Sequence, residues 1–456
     1  MLVQKRQTDR YTFMTQTPVP KLICTLAVPT IISMLVTGLY NTADTYFVGK
    51  ISTQASAAVG LVFSVMAIIQ AFGFFCGHGS GNYLSRMLGA DNHQEADEMA
   101  ATGFALSLIM GVVLLIFGNL FIEPLCLLVG ATPTAMQDTQ DYMRIILLGA
   151  PFMMGQFVIN NQLRFQGSAV YAMIGLMCGA VFNVALDPLL IFACGLGVKG
   201  AAIATVAGQI SSFAVLCIGS RRGENIRIHA RNIHLNFHYI GEIINGGAPS
   251  LFRQGLAAVS TLLLNHAAGS LGGDPAIAGM SIVTRTMMMV TSALIGFGQG
   301  YQPVCSFNYG AGLRKRVREG YFFIMKYGVL FLVIAAAVCF IYAEPIVRWF
   351  RDDADVIAVG KVALRYQCIV LPLMGISVST NMMLQSIGKG VKASITSAAR
   401  NGIFFIPLIL ILPHLFGIFG VEITQACADV LALLLTIPLA ISELQSMKED
   451  EVPNNS

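Results

Sequence analysis

Apolar residues in this chain fall in long runs, with short polar, Gly or Pro breaks between them. A membrane-spanning helix needs about 20 mostly apolar residues. Twelve segments reach that length: 22–42, 56–78, 97–120, 139–161, 168–192, 198–218, 242–268, 276–300, 320–343, 357–384, 390–414 and 418–442. Most are bounded by charge, Gly or Pro, as at Gly89-Ala-Asp-Asn-His93 and Arg314-Lys-Arg316. None shows the two-residue alternation of an outer-membrane barrel strand. The pattern predicts an all-α integral membrane protein with twelve transmembrane helices.

The breaks repeat. Ala27-Val-Pro29 recurs as Gly247-Ala-Pro249, Gly89-Ala90 as Gly310-Ala311, and Glu123-Pro124 as Glu344-Pro345. Pro151 matches Pro372, and Gly167 matches Gly388. A single offset of about 220 residues, held along the whole chain, is the mark of an internal duplication. Six spans per copy is an even number, so both copies enter the membrane in the same sense. That predicts two pseudo-symmetric six-helix bundles around a central cleft, related by an axis along the membrane normal. The expected boundaries are 1–218 for the first bundle, 219–241 for a linker and 242–456 for the second.

Composition agrees with a lipid-facing surface: 55% of residues are apolar and 11% charged, against roughly 25% charged in soluble domains. The formal net charge of +4 is unevenly placed and carries no nucleic-acid signal. Lys and Arg crowd alternate connections, at Arg86, Arg164, Arg221, Arg222, Arg227, Arg231 and Arg314-Lys-Arg316, whereas the others hold Lys50, Lys199, Arg348, Arg351 and Lys361. By the positive-inside rule both termini are cytoplasmic. The first 20 residues lack the pattern of a cleavable signal, so the first span is expected to direct insertion. Ten cysteines lie scattered without ligand spacing and are expected to be reduced packing residues.

An ionisable side chain inside a span costs about 2.5–3.5 kcal/mol on insertion scales and is functional by default. Asp44, Asp187 and Asp429 are the acids that fall clearly inside spans. Asp44 closes Tyr40-Asn-Thr-Ala-Asp44 late in the first span, after a kink expected at Pro29. Asp187 lies in Asn183-Val-Ala-Leu-Asp187-Pro188, where Asn183 shares its face one turn earlier. Pro188 frees a backbone carbonyl there. Carboxylates sharing a water-poor pocket bind a proton more firmly, and the same oxygens with Asn and Thr groups suit a desolvated Na+. Asp429 has Arg253, Arg285 and Arg400 in or near the spans of its half, so an ion pair competes with contact to a cationic substrate. Gln156, Asn160 and Asn161 are polar positions expected to face the cleft. The Met pairs and triplets, including Met153, Met173, Met177 and Met287, suit either packing or a surface for varied apolar cations.

With Pro29, Tyr40-Asn-Thr-Ala-Asp44 and Asn183-x-x-x-Asp187, the chain resembles the multidrug and toxic compound extrusion (MATE) family from about residue 20 to 443. It is similar to the MepA-type branch of bacterial multidrug pumps. The resemblance implies a coupling site for H+ or Na+ in the first half, with Asp44, Asn183, Asp187 and Thr205 at matching positions. It also implies roles for Tyr40, for Asn160 on the fourth helix, and for Pro29 where the first helix bends. Family branches that couple through acids in the second half are not matched, because Arg253, Gln254, Gln367 and Asn381 stand in the corresponding helices.

These readings predict no enzyme but a secondary-active H+- or Na+-coupled antiporter. It would export organic cations or drugs across a bacterial cytoplasmic membrane, as a monomer, with no cofactor, no resident metal and no nucleic-acid partner. No Walker motif is present, and Gly77-His-Gly-Ser-Gly81 ends a membrane helix rather than following a strand, so it is no phosphate loop. His229, His234 and His238 in the linker fit a solvated loop better than a metal site. A lipid or lipid-linked oligosaccharide flippase remains the alternative, carried by Arg164, Arg253, Arg285 and Arg400. A membrane-embedded enzyme or channel finds no nucleophile or metal cluster in the spans.

Overall fold

A computed structural model describes residues 10–222 and 225–449; the side chains of 39–45 and 53 lie outside that description. The described residues form helices and no strands. The first half comprises α1 (Val19–Gly49), α2 (Thr53–Gly89), α3 (His93–Leu120), α4 (Ile122–Leu128), α5 (Met136–Phe165), α6 (Ala169–Pro188) and α7 (Gly197–Ser220). The second comprises α8 (Phe237–Gly310), α9 (Arg314–Ile341), α10 (Ala343–Phe350), α11 (Ala354–Ser386), α12 (Gly390–Ala398), α13 (Phe405–Phe416) and α14 (Ile418–Glu449). One π-helical turn, Leu189–Ala193, follows α6, and another, Ala399–Ile403, joins α12 to α13 into one span.

Eleven helical segments among the described residues are long and apolar enough to cross a membrane. One of them, α8, has 74 residues. Straight, it would reach about 110 Å, several times the roughly 30 Å hydrocarbon layer. It does not run straight. Gly273 adopts φ 62°, ψ −155°, a conformation essentially open to glycine alone, and splits α8 into two limbs. The two spans expected at 242–268 and 276–300 are these limbs, which gives twelve passes. The short helices α4 and α10, both opening on Glu-Pro, escaped the hydropathy pattern because neither is long enough to span.

The duplication extends to backbone detail. After α2, the Asn92 amide donates to the Met87 carbonyl; after the second limb of α8, Leu313 donates to Asn308 in the same way. These are Schellman closures, which need a left-handed residue: Asp91 (φ 60°) in one copy, Gly312 (φ 76°) in the other. Asp tolerates that conformation better than most residues. Outward-facing side chains such as Ile109, Val112 and Ile116 on α3, or Leu330, Ile334 and Ile341 on α9, are exposed and apolar, as a lipid-facing belt requires.

The halves meet through backbone. A Cβ on Gly89 would overlap the Phe307 carbonyl oxygen, and one on Gly310 would overlap the Arg86 carbonyl oxygen. Gly89 and Gly310 are duplicates of each other, so this crossing of α2 with the second limb of α8 is reciprocal. Further along, Gly79 lies against Ile243, Gly247 against Phe75, and Gly300 against Ala27. Small residues allow such close approach where apolar burial supplies no drive between helices in lipid.

A methyl group at either crossing glycine must displace a backbone carbonyl, and such overpacking costs typically about 1–3 kcal/mol. Gly89→Ala and Gly310→Ala are therefore expected to lower the thermal midpoint of the solubilised protein. Gly60→Ala on the same α2, where nothing lies within 4 Å of the added carbon, should not. Equal midpoints for Gly60→Ala and Gly89→Ala would show that the crossing tolerates a side chain.

Candidate functional site

Two polar constructions lie inside this apolar frame. The first is a chamber within the first bundle, among α1, α5, α6 and α7. It forms because α6 and α7 touch at reciprocal glycines: a Cβ on Gly179 would sit 2.7 Å from the Gly208 carbonyl oxygen, and one on Gly208 would sit 2.8 Å from that of Gly179. That contact brings Asn183 beside Thr205, with Nδ2 donating to Oγ1 at 3.4 Å while the Thr205 hydroxyl donates to the Ala201 carbonyl. Asp187 is fully buried one turn beyond Asn183. Pro188 and the π turn Leu189–Ala193 follow at once, and Gly200 packs against the Leu190 peptide. Such π turns recur at functional sites because they re-aim the side chains around them.

The chamber offers about 30 Å³ of room for the centre of a water molecule, lined in part by Thr37, Gln156, Asn183, Thr205, Gln209 and Ser212. Room for one water takes about 10–15 Å³ on this measure, so it fits a water or a small ion. Asn183 Oδ1, Gln156 Oε1, Gln209 Oε1 and Ser212 Oγ are buried without a hydrogen-bond partner among the described residues. Buried polar atoms are ordinarily satisfied, and oxygens gathered around a small void accept from water or ligate a cation. No basic residue lines the chamber among the described residues. One wall is α1, which stays helical through Pro29. The hydroxyls of Thr30, Ser33 and Thr37 donate to the carbonyls of Leu26, Pro29 and Ser33, and back-bonding of this kind favours bending. Asp44 and Tyr40 also belong to α1, but their side chains lie outside the described residues.

The second construction is a polar floor between the halves, from α2 and α5 on one side to α8 and α11 on the other. Arg164, at the end of α5, donates to Asn161 Oδ1, to Gln299 Oε1 on α8, and to His78 Nε2 at 3.1 Å. A guanidinium only donates, so His78 Nε2 accepts and Nδ1 carries the proton, donated to Ser250 Oγ at 2.9 Å. Gln385 continues the chain, donating to Ser250 Oγ (2.8 Å) and the Gly246 carbonyl (2.7 Å) and accepting from Gln302 (2.9 Å). His78 is stacked on Phe74 with ring centroids 5.2 Å apart. Between this floor and the end bearing residues 10–18, Ser306 donates to Asn82 (3.0 Å), Arg86 pairs with Glu242 (3.0 Å), and Arg316 holds the Thr17 carbonyl (2.6 Å). Among the described residues, the hydrogen bonds between halves all lie from that end to the level of His78 and Gln299. Those two stand about three helical turns from the glycine crossing.

The residues expected from sequence separate accordingly. Asn183, Thr205 and Gln156 meet at the chamber, with Asp187 next to it; Gln156 thus lies inside a bundle rather than between the two. Asn160 is elsewhere: its amide donates to the Ala172 carbonyl at 2.9 Å, and Asn381 makes the duplicate bond to Ala393 at 2.7 Å. These are ties between consecutive helices. Asn161 belongs to the floor. Asp429 is held in an ion pair, with Arg400 Nε at 2.6 Å from its Oδ1 and Gln425 donating to the same oxygen at 2.9 Å. Met153 and Met287 sit in the apolar cores of their halves, while Met173 and Met177 on α6 are half-buried. Sequence reasoning missed His78, set aside within a glycine-rich stretch, and the part Arg164 plays. The available signal was basic side chains that the glycine spacing carries into a helix interface. All ten cysteines are free.

The MatE family profile matches the chain twice, over residues 29–189 and 249–411. The multidrug export protein MepA of Staphylococcus haemolyticus (strain JCSC1435) is 26% identical over 418 residues, covering 91% of this chain and 92% of that protein. MepA of Staphylococcus aureus (strain MSSA476) is 27% identical over 423 residues, covering 92% and 93%. Among solved structures, a MATE protein in complex with MaL6 superposes with a TM-score of 0.90 at 26% identity, covering 96% of this chain and 99% of that one. An outward-facing multidrug resistance MATE transporter of the MOP superfamily gives 0.90 at 26% identity over 96% and 98%. With both halves matched by the profile and the whole architecture shared, the chain belongs to the MatE family of membrane transporters and is not an enzyme.

Proposed function

We propose that this protein is a secondary-active antiporter that exports organic cations and multiple drugs, driven by H+ or Na+ entering the chamber of the first bundle. The observation that carries the reading is the chamber itself, lined by the unpartnered oxygens of Asn183, Gln156, Gln209 and Ser212 with no basic residue among its described lining, and with the fully buried Asp187 one turn beyond Asn183. Asp44 and Asp187 hold the ion, with Asn183 and Thr205 as oxygen ligands or proton-side hydrogen-bond partners. Tyr40 stands one turn before Asp44 on α1, and Asn160 keeps α5 and α6 in place. The kinship to multidrug export proteins supports the substrate class. Lys and Arg placement supports cytoplasmic termini in a bacterial cell, and on that orientation the floor closes the inward side.

On this reading, ion binding from outside changes the charge beside α1. The helix responds at Pro29, which cannot donate to the Thr25 carbonyl one turn earlier, while hydroxyls back-bond to the neighbouring carbonyls of Leu26, Pro29 and Ser33. Bending of α1 shifts it against the second limb of α8, releases the drug outward, and returns the emptied halves to the inward-open arrangement. The floor must part in that step and re-form afterwards. The energy comes from the ion gradient, worth about 2.3 kcal/mol per charge at 100 mV. One chain completes both bundles and suffices as a monomer. The flippase alternative draws on the buried Arg164 and the half-buried Arg253. Neutral side chains engage both, Asn161 and Gln299 for the first and Asn381 for the second, which favours a structural role for them.

Asp187→Asn should reduce dye accumulation in inverted vesicles to the passive level with expression retained. Loss of one coupled charge lowers the sustainable gradient roughly 50-fold at 100 mV. Imposing a pH or a sodium gradient separately identifies the ion; full drug resistance with Asp187→Asn removes the chamber from the mechanism. Arg164→Leu strips a donor from three buried acceptors, at about 1–3 kcal/mol each, and should loosen the seal. In a chain otherwise free of cysteine, Ser306→Cys should then react faster with an impermeant maleimide applied from the cytoplasmic face. An unchanged rate would show that Arg164 does not close that side.

A further inference from the structure

The first bundle carries a second cavity, of about 560 Å³, that the transport cycle does not use. It is a wedge between α3, α5 and α7, at the end of the bundle that bears the floor, under residues 226–229. Its inner wall is Phe104, Ile159 and Cys217; Arg221, Arg227 and His229 stand at its mouth. The Phe104 and Phe213 rings stack across α3 and α7 with centroids 6.2 Å apart, and Ile159 is fully buried beneath. Arg221 closes the spanning helix α7, which puts the mouth at lipid headgroup level. Phe104 lies about 12 Å deeper, level with Phe213 two turns before Arg221 on α7.

The roof over this wedge is anchored. The Ile226 amide donates to Gln166 Oε1 at 2.6 Å, and the His234 amide donates to Thr102 Oγ1 at 3.0 Å. The Asn225 side chain donates to the Gly219 carbonyl and accepts from Arg10 and Ser168. Thus the connection between the halves is fixed across the ends of α3, α5 and α7. The cations at the mouth are exposed, and no ion pair involves Arg221 or Arg227 among the described residues. Asp97 lies close to His229 at the mouth and to Arg231 beyond it.

We propose that this wedge binds an anionic phospholipid from the adjoining leaflet. The phosphate sits between Arg221 and Arg227, and an acyl chain lies over Phe104, Ile159 and Cys217. Both parts of the site are needed to choose the ligand. A free phosphate leaves the apolar interior unfilled, and a zwitterionic lipid brings its own cation to a rim of guanidinium groups. Basic clusters beside spanning helices attract anionic headgroups at about 1 kcal/mol per residue.

Native mass spectrometry of the full chain, released from detergent after titration with dioleoyl phosphatidylglycerol, dioleoyl phosphatidylcholine or glycerol phosphate, tests this. Wild-type protein should retain phosphatidylglycerol in preference to phosphatidylcholine. Replacing both exposed arginines, Arg221→Gln with Arg227→Gln, should weaken phosphatidylglycerol roughly 30-fold, while Arg351→Gln at the opposite end leaves it unchanged. Cys217→Trp keeps the charges but fills the wedge, and should lose the lipid as well. Equal retention of both lipids by wild-type protein overturns the proposal, as does undiminished phosphatidylglycerol binding in the double variant. Displacement of the lipid by glycerol phosphate at equal concentration would mark a site for free phosphate esters instead.

Discussion

The contact on which the rest of this architecture depends is the reciprocal crossing of Gly89 and Gly310. There the two halves touch through peptide groups, with no side chain between them. A side-chain interface can absorb a shift by changing rotamers; a backbone interface can only be made or broken. The long helices that cross there also carry His78, Asn82, Gln299 and Ser306, so closing the crossing aligns the whole polar floor at once. Packed interfaces of this kind are bistable rather than continuously deformable, which is what alternating exposure of a central site demands.

The floor is built so that closing is favourable without being permanent. Burying Arg164 without a carboxylate costs several kcal/mol in desolvation. Its hydrogen bonds to Asn161, Gln299 and His78 return part of that, since bonds involving a charged group contribute about 1.5–3 kcal/mol each. When the halves part, water replaces Gln299, while Asn161 and His78 stay with Arg164 in the first half, and part of the desolvation is recovered. The two arrangements can therefore lie close in energy, and a modest differential affinity of an ion or drug for one of them decides the population.

The duplicated bundles diverge at one crossing. Advancing by the 221-residue offset of the turns takes Gly179 to Arg400 and Gly208 to Asp429. In the first half two glycines let α6 and α7 approach and leave a void beside Asn183 and Thr205. In the second, a 2.6 Å ion pair occupies the crossing, and Phe404 and Ala426 stand where Asn183 and Thr205 would be. Both halves carry a π turn in this span, Leu189–Ala193 in the first and Ala399–Ile403 in the second, where it holds the Arg400 of the ion pair. The same fold thus supplies an ion-sized site in one copy and an internal brace in the other.

The hydrophobic pattern determined the all-helical membrane class, and the Gly and Pro offset determined the duplication. Both are properties of periodicity, which survives without knowledge of neighbours. The break in α8 was marked in sequence by Gly272-Gly-Asp-Pro275. Asn183 and Asp187 were legible because polar groups are costly in a span and the two share one helix face, whereas Thr205 came only through the family resemblance. Tertiary structure alone decided the remainder. Asp429 and Asp187 look alike in sequence, but one meets a guanidinium and the other lies beside a chamber that no basic residue lines among the described residues. Asn160 and Asn161 are adjacent, yet one ties consecutive helices and the other meets Arg164 at the floor. For His78 the sequence showed only a basic ring among glycines, since its partners Arg164 and Ser250 are far away in the chain. A residue's tendency to be buried is written locally, but what it is buried against depends on which helices cross, and here glycines set those crossings.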